Sequence, residues 1–213
     1  MVTYDLSHLQ QDDSQRVLGP IQDDEALFLF SVVRGMRLSR ILEMGGLDGY
    51  SARNFLKAME GHGGGGVLYT VDLNPVRSLA PNHKVLTKNA AHLVPEDVDN
   101  APLDMVFFDC HDAVQMVVFR ALREQGLVND STVLALHDTN LHYAPYQVWG
   151  DYVPEEDGYA HQPVERAMAE EFEEMGYHLF RLHTTRDKHD ASFPFRHGVT
   201  LCQKNPKHKC LCE

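Results

Sequence analysis

Ile41-Leu42-Glu43-Met44-Gly45-Gly46-Leu47-Asp48-Gly49-Tyr50-Ser51 decides how the rest of this chain is read. Arg40 to Met44 is a short apolar strand, glycines follow at once, and 51–59 carries helical periodicity. Gly45 and Gly49 let backbone come close to a bound molecule. A strand that turns into a helix through exposed amides is a natural nucleotide-type site, because unpaired N–H groups gather where the strand ends. The nicotinamide and flavin fingerprint G-x-G-x-x-G is absent. The spacing is Glu43-x-Gly45-x-x-x-Gly49, with an acid two residues before the first glycine. An ordinary α/β turn whose glycines only relieve strain is the competing reading.

Asp72 follows 27 residues beyond Gly45, at the end of the apolar strand Val67 to Asp72. A carboxylate there can accept hydrogen bonds from both hydroxyls of a ribose. Alone, an Asp before Leu73-Asn74-Pro75 reads as a turn or helix cap; joined to the glycine loop, it reads as a ligand contact. The run from Gly61 through Gly66 is no phosphate cradle, since it follows a helix, precedes a strand and holds no lysine. It is a flexible connection.

Further strands are expected over 84–89, 103–109, 131–136, 177–184 and 198–203, with helices opening at the acids of Gln22-Asp23-Asp24-Glu25, at Val114 and at Pro163. The alternation predicts an α/β fold, a doubly wound, mostly parallel, seven-stranded sheet with one antiparallel strand near the C-terminal edge. Residues 1–20 read as an N-terminal arm or helix, 21–204 as the domain, and 205–213 as a tail. The aromatic-rich stretch 141–162 reads as a substrate lid or, equally, a packed surface loop.

Ligands of such a sheet bind beyond the carboxyl ends of its strands. The tips of strands four and five then bring Asp109 and Asp138 together with Asn140 nearby, hard oxygen ligands of the kind magnesium or calcium uses. Asn89, in the turn after strand three, can meet an adenine ring or simply make the turn.

Composition narrows the partners. The 213 residues carry 31 acids against 19 bases, a net charge of −12 with no basic cluster, which argues against a nucleic-acid backbone. No apolar run is long enough to cross a bilayer, and Met1-Val2-Thr3-Tyr4-Asp5 does not begin a signal peptide, so a cytoplasmic protein is expected. The four cysteines, Cys110, Cys202, Cys210 and Cys212, do not form a disulfide framework. The expected partner is a small molecule, with no nucleic acid and no membrane, and a homodimer is left open.

The stretches Leu42-Glu43-Met44-Gly45, Gly49-Tyr50-Ser51-Ala52, Leu103-Asp104-Met105-Val106-Phe107-Phe108-Asp109 and the acid of His137-Asp138-Thr139-Asn140 resemble class I S-adenosylmethionine-dependent methyltransferases. Within that class they look like catechol O-methyltransferase and the macrocin O-methyltransferase type of bacterial natural-product enzymes, over about residues 20–204. The resemblance implies a Rossmann-like fold and transfer of a methyl group to a hydroxyl-bearing small molecule. It implies that Glu43, Gly45, Gly46, Gly49 and Ser51 hold the methionine half of the donor, Asp72 its ribose, and that Asp109 lies near the methionine amine. It also implies a divalent metal, magnesium by preference, on Asp109 and Asp138. Thr139 stands where catechol O-methyltransferase has Asn, which leaves Asn140, His137 and water as alternatives for the third ligand. A lysine of that family is replaced by Asp112, preceded by His111, and either can take the proton of the acceptor.

Overall fold

Side chains on successive strand residues point to opposite faces of a sheet, so an apolar strand with no alternation has to be covered on both sides. Four strands here have that character, and two sets of helices cover them. A computed structural model describes residues 21, 23–62, 65–139, 164–182 and 198–204. The expected arm, Asn140, the aromatic stretch 141–162, Cys210 and Cys212 lie outside the described residues.

The strands are β1 (Arg40–Met44), β2 (Val67–Asp72), β3 (His83–Thr87), β4 (Met105–Phe108), β5 (Val133–Leu136), β6 (His178–Leu182) and β7 (Val199–Gln203). They form one seven-stranded sheet in the order β3-β2-β1-β4-β5-β7-β6. β1 pairs in parallel with β2 and β4, and β7 is inserted antiparallel between β5 and β6. The single antiparallel strand expected near the C-terminal edge is therefore β7.

The helices are α1 (Asp23–Met36), α2 (Tyr50–Met59), α3 (Val114–Glu124) and α4 (Val164–Glu174). Ile41, Leu68, Met105, Phe107, Val133 and Ala135 face α1 and α2; their sequence neighbours Leu42, Tyr69, Val106, Phe108, Leu134 and Leu136 face α3 and α4. Fully burying one such side chain contributes about 1.5–3 kcal/mol, which makes these two layers the main stabilising term. Phe55 of α2 meets Phe107 edge to face at 5.2 Å, and Asn54 donates to the Ala26 carbonyl of α1 at 2.9 Å, tying the two helices together.

Strand ends are set by chemistry of their own. Asp104 Oδ2 accepts from the Ser39 and Arg40 amides at 2.7 and 2.9 Å, locking β4 against β1 at the end away from the glycine loop. Helices α3 and α4 stop at Gly126 and Gly176, both with left-handed backbone (φ 72° and 83°), as glycine past a helix end allows. Glu25, one of the acids expected to complement the dipole at the start of α1, is wholly buried. It lies on the stripe that includes Leu29 and Val33, one and two turns on, and so faces the sheet.

Candidate functional site

The glycine loop leaves β1 and enters α2 at Gly49, whose carbonyl accepts the Arg53 amide at 2.9 Å. Gly45 has φ 94°, and a Cβ placed on it would stand 2.5 Å from the Asp109 carbonyl oxygen. A Cβ on Gly46 would stand 2.5 Å from Thr70 Cγ2. The loop is thus packed between the tips of β4 and β2, and both positions exclude any side chain.

Asp72 closes this cradle. Its Oδ2 accepts from the Gly46 amide at 2.8 Å and the Leu47 amide at 3.3 Å, while Oδ1 accepts from the Asn74 amide at 2.8 Å. A carboxylate offers about four lone-pair directions, so acceptor capacity remains. Leu47 and Leu73, 64% and 70% exposed, flank the Gly46–Asp72 contact with apolar surface that sequence reading passed over. Asn89 is exposed, and its Oδ1 accepts from the Ala91 amide at 2.9 Å to cap a turn.

Glu43 and Ser51 lie beneath the loop. Ser51 Oγ donates to Glu43 Oε1 at 2.5 Å and Thr70 Oγ1 to Glu43 Oε2 at 2.6 Å. Thr70 in turn meets His83 Nε2 at 2.8 Å, and His83 Nδ1 accepts from the Leu79 amide. Glu43 has no exposed surface, and burial pushes its carboxyl up to about 8 against the pull of the two hydroxyls. The acid of the motif therefore ties β1, β2 and α2 to one another.

The tips of β4 and β5 hold a denser cluster. Asp109 Oδ1 meets His137 Nδ1 at 2.9 Å; Asp138 Oδ1 is 3.5 Å from the same nitrogen. On the far side of the ring, His137 Nε2 stands 3.3 Å from Glu25 Oε2 of α1. His111 Nε2 lies 3.7 Å from Asp109 and 3.5 Å from Asp138, and its Nδ1 lies 3.1 Å from Glu165 Oε1 at the start of α4. That same Glu165 oxygen accepts from the His111 amide at 2.9 Å and Gln115 Nε2 at 2.7 Å. His111 and Asp138 both have left-handed backbone, φ 53° and 55°, a strained conformation for such residues that clusters at functional sites.

Charge follows geometry. Burial pushes the His111 imidazole down, but Glu165, Asp138 and Asp109 outweigh it and raise it to about 9. His137 is likewise raised well above its ordinary value, since Asp138, Asp109 and Glu25 overcome burial. Burial raises the Asp109 carboxyl, and His137 opposes that rise.

Of the residues expected here, Asp109, His111 and Asp138 come together. Asp112 does not join them: it is exposed, and its Oδ1 caps the start of α3 through the Val114 amide at 2.8 Å. Thr139 is turned inward, bonded to the Gly198 carbonyl and to Thr200. The two aspartates face imidazoles where a shared divalent ion was expected, and among the described residues no group of three or more His, Cys, Asp or Glu side chains is arranged to hold a metal ion. Asn140, the further donor expected beside the two aspartates, lies outside the described residues. Glu25 and Glu165 were missed by sequence reading, although both lie on the apolar stripe of their helix, an unusual place for an acid.

Residues 42–139, from β1 to the turn after β5, match a family described as a methyltransferase domain. The matched segment carries the glycine loop, Asp72, Asp109 and Asp138. No curated protein sequence matches the chain. Solved structures that resemble this chain include PaMTH1 of Podospora anserina bound to S-adenosylhomocysteine (14% identity, TM-score 0.59, 94% of this chain and 87% of that one). The O-methyltransferase TomG of Streptomyces achromogenes in complex with S-adenosylmethionine is similar at 19% identity and TM-score 0.58, over 88% and 82% of the two chains. An O-methyltransferase of Bacillus cereus bound to S-adenosylhomocysteine is similar at 17% identity and TM-score 0.60, over 90% and 86%. At these identities the likeness is one of fold. It agrees with the class I methyltransferase resemblance read from Glu43 to Ser51. Among the described residues, no helix is long and apolar enough to cross a membrane.

Proposed function

We propose that this chain is a methyltransferase that uses S-adenosylmethionine to methylate a hydroxyl oxygen of a small molecule. The observation that carries the reading is the cradle in which Asp72 Oδ2 binds the Gly46 and Leu47 amides, while Gly45 leaves no room for a side chain beside the Asp109 carbonyl. Gly45, Gly46 and Gly49 keep the loop thin enough for the methionine part of the donor. Asp72 keeps acceptor capacity for ribose hydroxyls, Leu47 and Leu73 offer apolar contact, and Asp109 stands beside the loop to meet the methionine amine.

The donor, when bound, supplies a methyl group that its sulfonium has already made electrophilic. The chain's own task is to orient the acceptor and take its proton. His111 is the base in this reading: Glu165 fixes Nδ1, and the ring, 31% exposed, turns Nε2 toward the strand tips. A carboxylate-held imidazole that receives a proton at its other nitrogen is a recurrent solution to this task. Asp109 and Asp138 stabilise the imidazolium that results.

A divalent ion has no part in this proposal, because the carboxylates expected to share it are already faced by His111 and His137. Calorimetric titration with S-adenosylhomocysteine tests the donor site. Transfer of a labelled methyl group to a panel of phenols, enols and sugars then tests the acceptor class. A folded protein with no affinity for the product overturns the donor assignment.

A further inference from the structure

We propose that Glu25 of helix α1 is a positioning residue for the donor pocket: through His137 it holds the Asp109 carboxylate in place at the tip of β4. This rests on the reading of Asp109 as a donor contact. Four groups form a continuous line. The Gly198 amide donates to Glu25 Oε1 at 2.5 Å, Glu25 Oε2 faces His137 Nε2 at 3.3 Å, and His137 Nδ1 faces Asp109 Oδ1 at 2.9 Å. The line crosses four elements that are distant in sequence: the start of β7, α1, the end of β5 and the end of β4.

Hydrogen-bond chemistry fixes what the ring does. A neutral imidazole has one N–H and one lone pair, and here a lone pair at either nitrogen would point at a carboxylate oxygen. The ring meets both acids when each facing pair shares one proton, held on the nitrogen or on the carboxyl. Glu25 then fixes the plane of the ring.

A purely structural role explains this line poorly. Glu25 and His137 are 0% and 1% exposed, on a layer otherwise made of Leu29, Phe55 and Phe107. Apolar residues of similar volume commonly stabilise such a place as well as a buried ion pair does. What the pair adds is direction, because its far end is Asp109, 15% exposed, whose own carbonyl packs on Gly45. Burial raises the Asp109 carboxyl, and His137 is the first group to oppose that rise. With Glu25 gone, the ring can turn, and Asp109 loses the contact that orients it.

The test uses the full chain carrying Glu25→Gln, Asp109→Asn or both, with thermal melts to establish folding. Affinity for S-adenosylhomocysteine should fall about tenfold in Glu25→Gln, the size expected for a lost charged hydrogen bond. The double variant should bind no more weakly than Asp109→Asn alone, because both substitutions break one line. Wild-type affinity in folded Glu25→Gln, or losses that simply add, overturns the proposal. Nitrogen NMR of the His137 ring gives a second readout independent of the donor: Glu25→Gln should shift the Nδ1 signal that faces Asp109 as well as the Nε2 signal that faces Glu25. An Nδ1 signal unmoved in Glu25→Gln refutes the relay. If Glu25→Gln fails to fold, Glu25→Asp replaces it in both measurements. Absence of product binding in the wild type would count against the donor reading, and the ring spectrum would still decide the relay.

Discussion

The Gly46 amide donates to Asp72 Oδ2 at 2.8 Å, so the glycine loop after β1 and the acid at the end of β2 are one structure before any ligand arrives. Two features that lie 26 residues apart are joined by a bond that orients both. Asp72→Ala should therefore loosen the loop as well as remove ribose acceptors. We expect at least a tenfold loss of S-adenosylhomocysteine affinity by calorimetry, with a small fall in melting temperature. Undiminished affinity in the folded variant would take Asp72 out of the site.

Gly45 is more constrained than its place in a motif suggests. A side chain there would meet the Asp109 carbonyl, and the residue sits at φ 94°. Gly45→Val should abolish binding of the product and also lower stability by roughly 1–3 kcal/mol, the usual range for overpacking. Chemical denaturation measures the second effect. An unchanged midpoint would mean the loop can move away from β4 freely.

His111→Gln should reduce methyl transfer by about a hundredfold or more, with product affinity largely kept, if the ring is the base. Glu165→Gln, which leaves the ring in place but weakens its orientation, should give a smaller loss. The turnover rate of the wild type should climb with pH toward about 9, because the ring must shed its proton before it can accept another. A flat profile over pH 6–9 would show that His111 is not the base.

Chelation separates the protein's own cations from a bound one. With His111 and His137 facing Asp109 and Asp138, turnover should persist in excess chelator and show no requirement for added magnesium. Loss of activity in chelator with recovery on magnesium would place an ion on the two aspartates and displace the imidazoles from this role.

Stability should fall as pH rises from about 6.5 to 9. Glu43 is raised from 4.5 to about 8 and His111 from 6.5 to about 9, so across these windows the folded chain binds more protons than the unfolded one. For Glu43 the contribution is complete below 4.5 and gone above 8; for His111 it is complete below 6.5 and gone above 9. Glu43→Gln and His111→Gln should each make the decline in melting temperature shallower. A wild-type melting temperature that rises over this interval contradicts both assignments.

The sequence by itself determined the sheet, because its information there is local. Apolar runs such as Met105–Phe108 and Val133–Leu136 can only be buried strands, and Gly45 to Gly49 can only be a tight strand-to-helix turn. It also placed Asp72, Asp109 and Asp138 at strand ends, since position in a doubly wound sheet follows from strand order. Tertiary structure alone decided what those acids touch. Glu25 and Glu165 are ordinary first-turn acids until α1 and α4 fold over the strand tips and bring each against a histidine more than 50 residues away. Glu43 looks like a ligand contact until Ser51 and Thr70 close on both of its oxygens. A hydrogen bond depends on tenths of an ångström and on the direction of a lone pair, and neither is encoded in local periodicity; both arise only when distant segments pack.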